Sequence, residues 1–321
     1  AVGRVALTAN TTGTQNTAVG ALALDANTTA PNNTALGYQT LSANTTGEQN
    51  VAVGTNTLLS NTTASNNTAV GNAALALNTT GAKNTAMGAS ALDANTTGSF
   101  NTACGQNALG SNTTGAQNTA VGQSALANNT TADNNCAIGL DALVLNTTGS
   151  ANIAIGLSAG GSVTTGSDNC FVGKNAGDNV TTGTNQICIG RNSDSANATN
   201  NDGITIGDSS IGSFRCQVQT ISSLSDERDK TNIEDCTDGL DLINNLRPIK
   251  FTWAMREPSS NNGTTHLGFI AQELDEVLGA KNDYIRAVDK SNPDKLEAAY
   301  GRFLPVLVKA VQELSAKVTA L

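Results

Sequence analysis

Glycine recurs at positions 3, 20, 37, 54, 71, 88, 105, 122, 139, 156, 173, 190 and 207, seventeen residues apart at every step. An unbroken period of this kind means that residues 1–207 are one structural unit used repeatedly, each copy packing on its neighbours. The unit reads N-T-A-V-G-x-x-A-L-x-x-N-T-T-G-x-x, and the Asn of N-T-T keeps register at 10, 27, 44, 61, 78, 95, 112, 129 and 146. Gly, Asn and Thr are weak helix formers, so N-T-A-V is expected as a short strand. The glycine after it marks a turn or a close backbone approach. N-T-T-G supplies a second turn, because Asn and Gly tolerate positive φ. Each unit is then one coil of a β-solenoid adding about 4.8 Å, and twelve coils make a rod of roughly 58 Å.

The apolar residues fall into columns. Val19, Leu36, Val53, Val70, Met87, Val121, Ile138 and Ile155 precede the glycine, with Ala usually before them; Leu24, Leu41, Leu58, Leu75, Leu92, Leu109, Leu126 and Leu143 form a second column. Later strands read Ile153-Ala154-Ile155, Ile187-Cys188-Ile189 and Ile204-Thr205-Ile206. They are read as apolar on both faces, so one face needs a cover that another copy of the chain would provide. The Leu column lapses at Gly160 and Gly177, which suggests a changed cross-section. Cys104, Cys136, Cys170 and Cys188 replace Val, Thr, Ala or Ile of other repeats, and none of the six cysteines has C-x-x-C spacing. They read as small core residues of a protein made in a reducing compartment. Each N-T-T is also a glycosylation sequon, but Asn turns and Thr ladders explain the element more simply. Stacked Thr rows would also suit an ice-binding solenoid, which leaves the C-terminal third unexplained.

Composition breaks near residue 224. Residues 1–224 hold 5 of the 17 Lys and Arg and 10 of the 26 Asp and Glu. Trp253 and most of the Phe and Tyr residues follow the break, so the first part has no aromatic-rich core. A net charge of −9 argues against nucleic acid as a partner, since phosphate binding needs clustered cations. No run of 18 apolar residues suggests membrane insertion, no secretory signal is recognisable, and no cofactor or metal pattern stands out. The first residues, Ala1-Val2-Gly3, read as the tail of a repeat, so the chain is expected to be a piece of a longer protein.

Residues 208–224 read as a linker. Three motifs follow: S-D-E-R-D-K-T-N-I at 225–233, G-F-I-A-Q-E at 268–273, and Y-G-R-F-L-P-V-L-V-K-A-V-Q-E-L at 300–314. Asp238 to Leu246 is expected as a short helix with Leu240, Ile243 and Leu246 on one face, ended by Pro248. Strands are expected at Ile249 to Trp253 and at Leu267 to Phe269, and a helix from Ile270 to Leu278. The lone histidine, His266, reads as structural. Tyr300, Leu304, Leu307, Val311, Leu314, Val318 and Leu321 step by four and three, which is a coiled-coil seam; Pro305 fits the first turn of that helix.

The three motifs, in this order at the end of a fibrous chain, resemble the endosialidase-type intramolecular chaperone peptidases that cap phage tail fibres and tailspikes. The resemblance covers about residues 222–321; the repeat itself resembles the head repeats of trimeric autotransporter adhesins and the fibre repeats of marine phages. What the resemblance implies is a Ser–Lys dyad at Ser225 and Lys230 and a cut between Leu224 and Ser225. A serine hydroxyl alone is a poor nucleophile, and lysine must be neutral to act as its base, a state that burial favours.

The expected fold is therefore mainly β. A trimeric β-solenoid shaft at 1–207 is followed by a linker at 208–224 and by a small α+β chaperone domain at 225–321 that ends in a coiled-coil helix. The expected role is structural: a viral tail fibre for host attachment, on the virion outside the cell, made in the host cytoplasm. The chain would be a single-turnover self-cleaving serine endopeptidase with no activity on external substrates. Its partners would be two further copies of itself, a host surface receptor or glycan, and other tail proteins reached through a preceding segment. Two rivals are a cellular trimeric adhesin, which needs a membrane anchor, and a glycan-degrading tailspike, which needs paired carboxylates in a cleft.

Overall fold

A computed structural model spans the chain, and residues 1–208, 210–211, 225–254, 263–291 and 296–321 are described. There are two compact units, 1–208 and 209–321. In the first, each N-T-A-V or its equivalent gives a three-residue strand, from β1 (Thr17–Val19) to β12 (Ile204–Ile206). The twelve strands form one parallel sheet in chain order. Thr17 pairs with Thr34, Ala18 with Ala35 and Val19 with Leu36, and the same 17-residue offset joins Ile187 to Ile204 at the other end. The unit is a β-solenoid.

Alternation along a strand sends its first and third residues to one side and its second to the other. The second residue, Ala18, Ala35, Ala52 and so on to Ala154, is fully buried, as is the whole Leu24-to-Leu143 column. The aliphatic column before the glycine is real but lies outside: Leu36 is 46% exposed and Ile155 41%. Ile153 and Ile155 share that outer side while Ala154 turns inward, and Cys188 turns inward between Ile187 and Ile189, so these strands are apolar on both faces as expected, while Thr205 takes the inner position of the last one. The cysteine expectation holds for one residue and fails for three. Cys188 occupies the buried middle position, whereas Cys104, Cys136 and Cys170 sit at outward positions and are partly exposed. Burial pushes the Cys188 thiol up to about 11.

Two backbone features set the coil spacing. Gly88 has φ +139°, and a methyl group there would lie 2.5 Å from the carbonyl oxygen of Gly105 in the next coil. The buried leucines adopt φ between +50° and +53°. That conformation costs an L-residue about 1–2 kcal/mol, which full burial of a leucine, worth about 1.5–3 kcal/mol, offsets.

Buried amides hold the turns. Asn27, Asn44, Asn61 and their equivalents up to Asn146 are fully buried. Asn44 Nδ2 donates to Asn27 Oδ1 at 3.1 Å and to Gly47 O at 2.9 Å, so one amide links the coils and closes its own turn. A second ladder starts at Asn16 and reaches Gln186: Asn50 N donates to Asn33 Oδ1, and Asn33 Nδ2 donates to Gly47 O, both at 2.9 Å. Thr hydroxyls of N-T-T donate to the next coil's backbone, as from Thr45 Oγ1 to Thr62 O at 3.1 Å. A buried sequon Asn with both N–H groups committed cannot carry a glycan in this fold. The first ladder stops where Val163 replaces Asn, which leaves Asn146 Oδ1 without a partner.

The lapse at Gly160 and Gly177 has a packing cause. Phe171 takes the inward position that Ala holds in most other strands, and it is fully buried. A methyl on Gly160 would lie 2.7 Å from the Phe171 ring, and one on Gly177 would collide with it. Phe171 thus fills the space of two missing leucines. The cross-section does not change there: Gly160 N still bonds Ala176 O at 2.8 Å, as Leu143 N bonds Ala159 O at 3.0 Å.

The second unit is a small α+β region. Helix α1 (Leu240–Asn244) precedes the antiparallel pair β13 (Ile249–Thr252) and β14 (Thr265–Gly268); α2 (Ala271–Leu278) and α3 (Asn282–Ile285) come next. A two-residue pair, β15 (Val288–Asp289) with β16 (Glu297–Ala298), leads to α4 (Leu304–Thr319). Leu242, Leu274, Leu278, Ile285, Val288, Phe303 and Val306 form its core. The first helix is shorter than expected from the sequence and buries Leu242, while Leu240, Ile243 and Leu246 are only half-buried. The Arg247 guanidinium pairs with Glu273 and holds its carboxyl below the usual range. Hydrogen bonds from Lys281 and Tyr284 lower Asp238 in the same direction.

Two outcomes follow from this packing. Phe171→Ala should lower shaft stability by about 3–5 kcal/mol through the cavity it leaves. Gly160→Leu and Gly177→Leu added to Phe171→Ala should restore most of that loss, whereas Gly177→Leu alone should prevent a stable fold. Thermal unfolding of the four proteins tests this, and a triple variant no better than Phe171→Ala would refute it. Acid should act on the second unit first. Carboxyls held below their unfolded values stabilise the fold above those values, and the benefit is lost as pH falls. Asp238 and Glu273 are such groups. Burial raises Asp93 in the shaft instead, so protonation costs the shaft nothing there. Circular dichroism from about pH 5 to below pH 3 should lose helical signal before strand signal; the reverse order would contradict this assignment.

Candidate functional site: a serine–lysine pair and an exposed helix seam

S-D-E-R-D-K opens with a 3-10 turn, Glu227–Asp229, built by its own first residues. Asp226 is the N-cap, and its Oδ1 accepts from Arg228 N at 2.9 Å, a short-range bond to which Asp is suited. Lys230 N closes the turn on Glu227 O at 3.1 Å. The turn brings the two candidate residues together: Lys230 Nζ donates to Ser225 Oγ at 2.8 Å and to Ser225 O at 3.1 Å. The spacing of five residues would not align them on an α-helix; the capped turn does so instead. Both side chains are exposed, so the burial that would favour a neutral lysine is not supplied by the described residues of a single chain. Leu224, the other side of the expected cut, lies outside the described residues.

The expected seam maps onto α4 and its approach. Pro305 stands in the first turn of α4. One side of the helix, Phe303, Val306 and Ala310, packs inward. The other side is open: Leu304 and Val311 are 65% exposed and Leu314 is 50% exposed, with Leu307 and Val318 also exposed. Tyr300 stands apart in the preceding 3-10 turn. Its hydroxyl meets both backbone groups of Phe269, and its ring packs edge-on against that residue, so it is tied to its own unit. Leu321 lies beyond the end of α4.

Two features of the site are not assigned by sequence reasoning. Glu313 accepts from Leu240 N at 2.8 Å and so caps α1 from 73 residues away. Gly239 makes room for it, since a methyl there would lie 2.6 Å from the Glu313 carboxylate. No local pattern announces a cap between distant segments. The Asp226–Arg228 pair, by contrast, has a local signal: an Asp two residues before a donor at the start of a turn.

Among the described residues no cluster of three or more His, Cys, Asp or Glu could hold a metal ion, and no helix is long and apolar enough to cross a membrane. No curated protein and no solved structure matches the chain. Residues 225–282 match the family described as chaperone of endosialidase, a segment that starts at the candidate nucleophile and ends before α4. A β-solenoid of 17-residue repeats followed by a small α+β segment carrying that match fits a phage tail fibre or tailspike chain with a C-terminal chaperone domain.

Proposed function

We propose that this chain is a structural tail fibre that assembles as a homotrimer through its C-terminal unit and then releases that unit by cutting itself between Leu224 and Ser225. The contact that supports the cut most directly is the 2.8 Å Lys230–Ser225 hydrogen bond at the start of the family-matched segment. Lys230 takes the hydroxyl proton as Ser225 Oγ adds to the carbonyl carbon of Leu224. The Leu224–Ser225 C–N bond breaks as the Ser225 nitrogen accepts the proton that Lys230 took up, and water hydrolyses the Leu224 ester left on Ser225 Oγ. The products are a chain ending in the Leu224 carboxylate and a fragment beginning at Ser225. Lys230 is exposed in the single chain, and assembly of three copies is the event that covers it, so cleavage would report on correct assembly.

The aliphatic row on α4 supports the trimer. Leu304, Leu307, Val311, Leu314 and Val318 form an exposed apolar stripe beside the face packed on the core, at the spacing of a helix seam. The outward Ile153, Ile155, Ile189, Ile204 and Ile206 of the shaft are a second uncovered apolar row. Host attachment through a surface receptor or glycan, and joining to other tail proteins, belong to the same reading. The short, sparsely acidic shaft offers no paired carboxylates in a cleft, which disfavours a glycan-degrading spike.

Two experiments test the reading. Leu307→Asp with Leu314→Asp places carboxylates on the seam and should give monomer or aggregate by light scattering; a normal soluble trimer would sink the seam. Wild-type protein should yield fragments 1–224 and 225–321 without added protease. Ser225→Ala should stay intact yet trimeric, and Lys230→Arg should block cleavage as well, because a guanidinium cannot serve as a base near neutral pH. Mass spectrometry after denaturation reads the new terminus. Cleavage of Ser225→Ala at the same bond would instead point to an outside protease.

A further inference from the structure

We propose that Asp226 and Arg228 are the positioning pair of this cleavage site: Asp226 folds the turn that carries Lys230 to Ser225, and Arg228 keeps the Asp226 carboxylate from competing for the lysine. The inference rests on the Ser225–Lys230 reading above and adds two residues to it.

The geometry is specific. Asp226 Oδ1 accepts from Arg228 N at 2.9 Å and from Arg228 Nε at 3.0 Å, while Oδ2 accepts from Arg228 Nη2 at 2.6 Å. Asp229 N and Lys230 N then bond the carbonyls of Asp226 and Glu227 at 3.2 and 3.1 Å. One carboxylate therefore does two things. It caps the backbone turn that sets the direction of Lys230, and it is held in a bidentate grip by a planar guanidinium. Arg228 is 88% exposed, and an ion pair at such a site adds little to stability. Its effect on chemistry is larger. Asp226 is the residue next to the nucleophile, and a free carboxylate there is a strong acceptor for the lysine ammonium. Lys230 can make its 2.8 Å bond to Ser225 Oγ when Asp226 is engaged elsewhere, and a reaction between two side chains depends steeply on how often they meet in the right geometry.

Pairing with Arg228 also accounts for Asp226 being held below the usual carboxylate range, so the pair persists at neutral pH. Lysine at 228 would keep the charge but not the fork, and Asn at 226 would keep the backbone cap but not the charge. The two tasks can therefore be separated by substitution.

The test uses full-length protein, with cleavage followed by mass spectrometry and assembly by light scattering. Asp226→Ala, which loses cap and carboxylate together, should slow cleavage by roughly 10- to 100-fold with trimer formation unchanged. Asp226→Asn should recover most of the rate. Arg228→Gln should be slow because it frees the carboxylate, and Asp226→Asn combined with Arg228→Gln should be faster than Arg228→Gln alone, since nothing is left to compete for the lysine. A merely structural ion pair would not give that suppression. Asp226→Ala cleaving at the wild-type rate, or all variants slowing only as far as trimer is lost, would overturn the pair's role. Wild-type protein that stays whole, or Ser225→Ala that is still cut, would instead bring down the dyad reading beneath it.

Discussion

The stacking of one coil's backbone directly on the next is the constraint from which the rest of the shaft follows. Gly88 approaches the Gly105 carbonyl so closely that no side chain fits between them. At that spacing the buried amides of the turns take their partners from the protein, in the neighbouring coil and in their own turn. Asn fits this need because its amide has two donors and an acceptor. In the first ladder Asn44 uses one N–H on Asn27 and the other on Gly47 O, and its oxygen accepts from Asn61. A buried acceptor without a donor costs about 1–3 kcal/mol, so one substitution in the column leaves a neighbour unsatisfied. The C-terminal end of that ladder, at Asn146, shows where the rule lapses: Val163 and Val180 add to the apolar core instead.

The same constraint explains what the sequence made legible. A period held without insertion is the direct consequence of in-register stacking, so coil length, strand position and both turns could be read from the Gly and Asn columns alone. The side chosen by each column could not. Val, Leu, Met and Ile before the glycine look like core residues, yet most coils take Ala from the strand and Leu from the turn into their interior. That Leu must adopt φ near +50°, a conformation that residue type does not announce and that burial makes tolerable. Phe171 was equally opaque: its fit depends on two glycines, at 160 and 177, that precede and follow it in the chain and touch it in space.

In the C-terminal unit the legible parts were those with local causes. Helix α2, the β13–β14 pair and the amphipathic α4 follow from periodicity and breakers in their own segments. Ser225 and Lys230 were marked by a motif, and the turn that joins them is written in Asp226, which caps it. Glu313 capping Leu240 and Lys281 holding Asp238 join segments tens of residues apart. No local spacing encodes such contacts; the packing of α4 on α1 creates the first of them.

A division of labour between the two units follows from their chemistry. The shaft is stabilised by neutral amides, Ala and Leu, with its strands paired at a constant offset of 17 residues. Parallel pairing of this kind has no hairpin to start it, so the first coil must form without a template and is slow to nucleate. The C-terminal unit contains the helices, whose backbone hydrogen bonds close within about four residues. An unpartnered row of Leu and Val on α4 belongs to the part that can order early, and a row of Ile belongs to the shaft coils nearest to it in sequence. Aliphatic residues at outward strand positions grow denser from Thr17-Ala18-Val19 to Ile204-Thr205-Ile206. In the proposed trimer, apolar attraction between copies would be greatest in the coils that carry the Ile row and weakest where Thr and Val alternate. Were the proposed trimer to form, association would begin at those coils and run toward the N-terminus, the direction that would keep the slow, template-free coils in register while they stack.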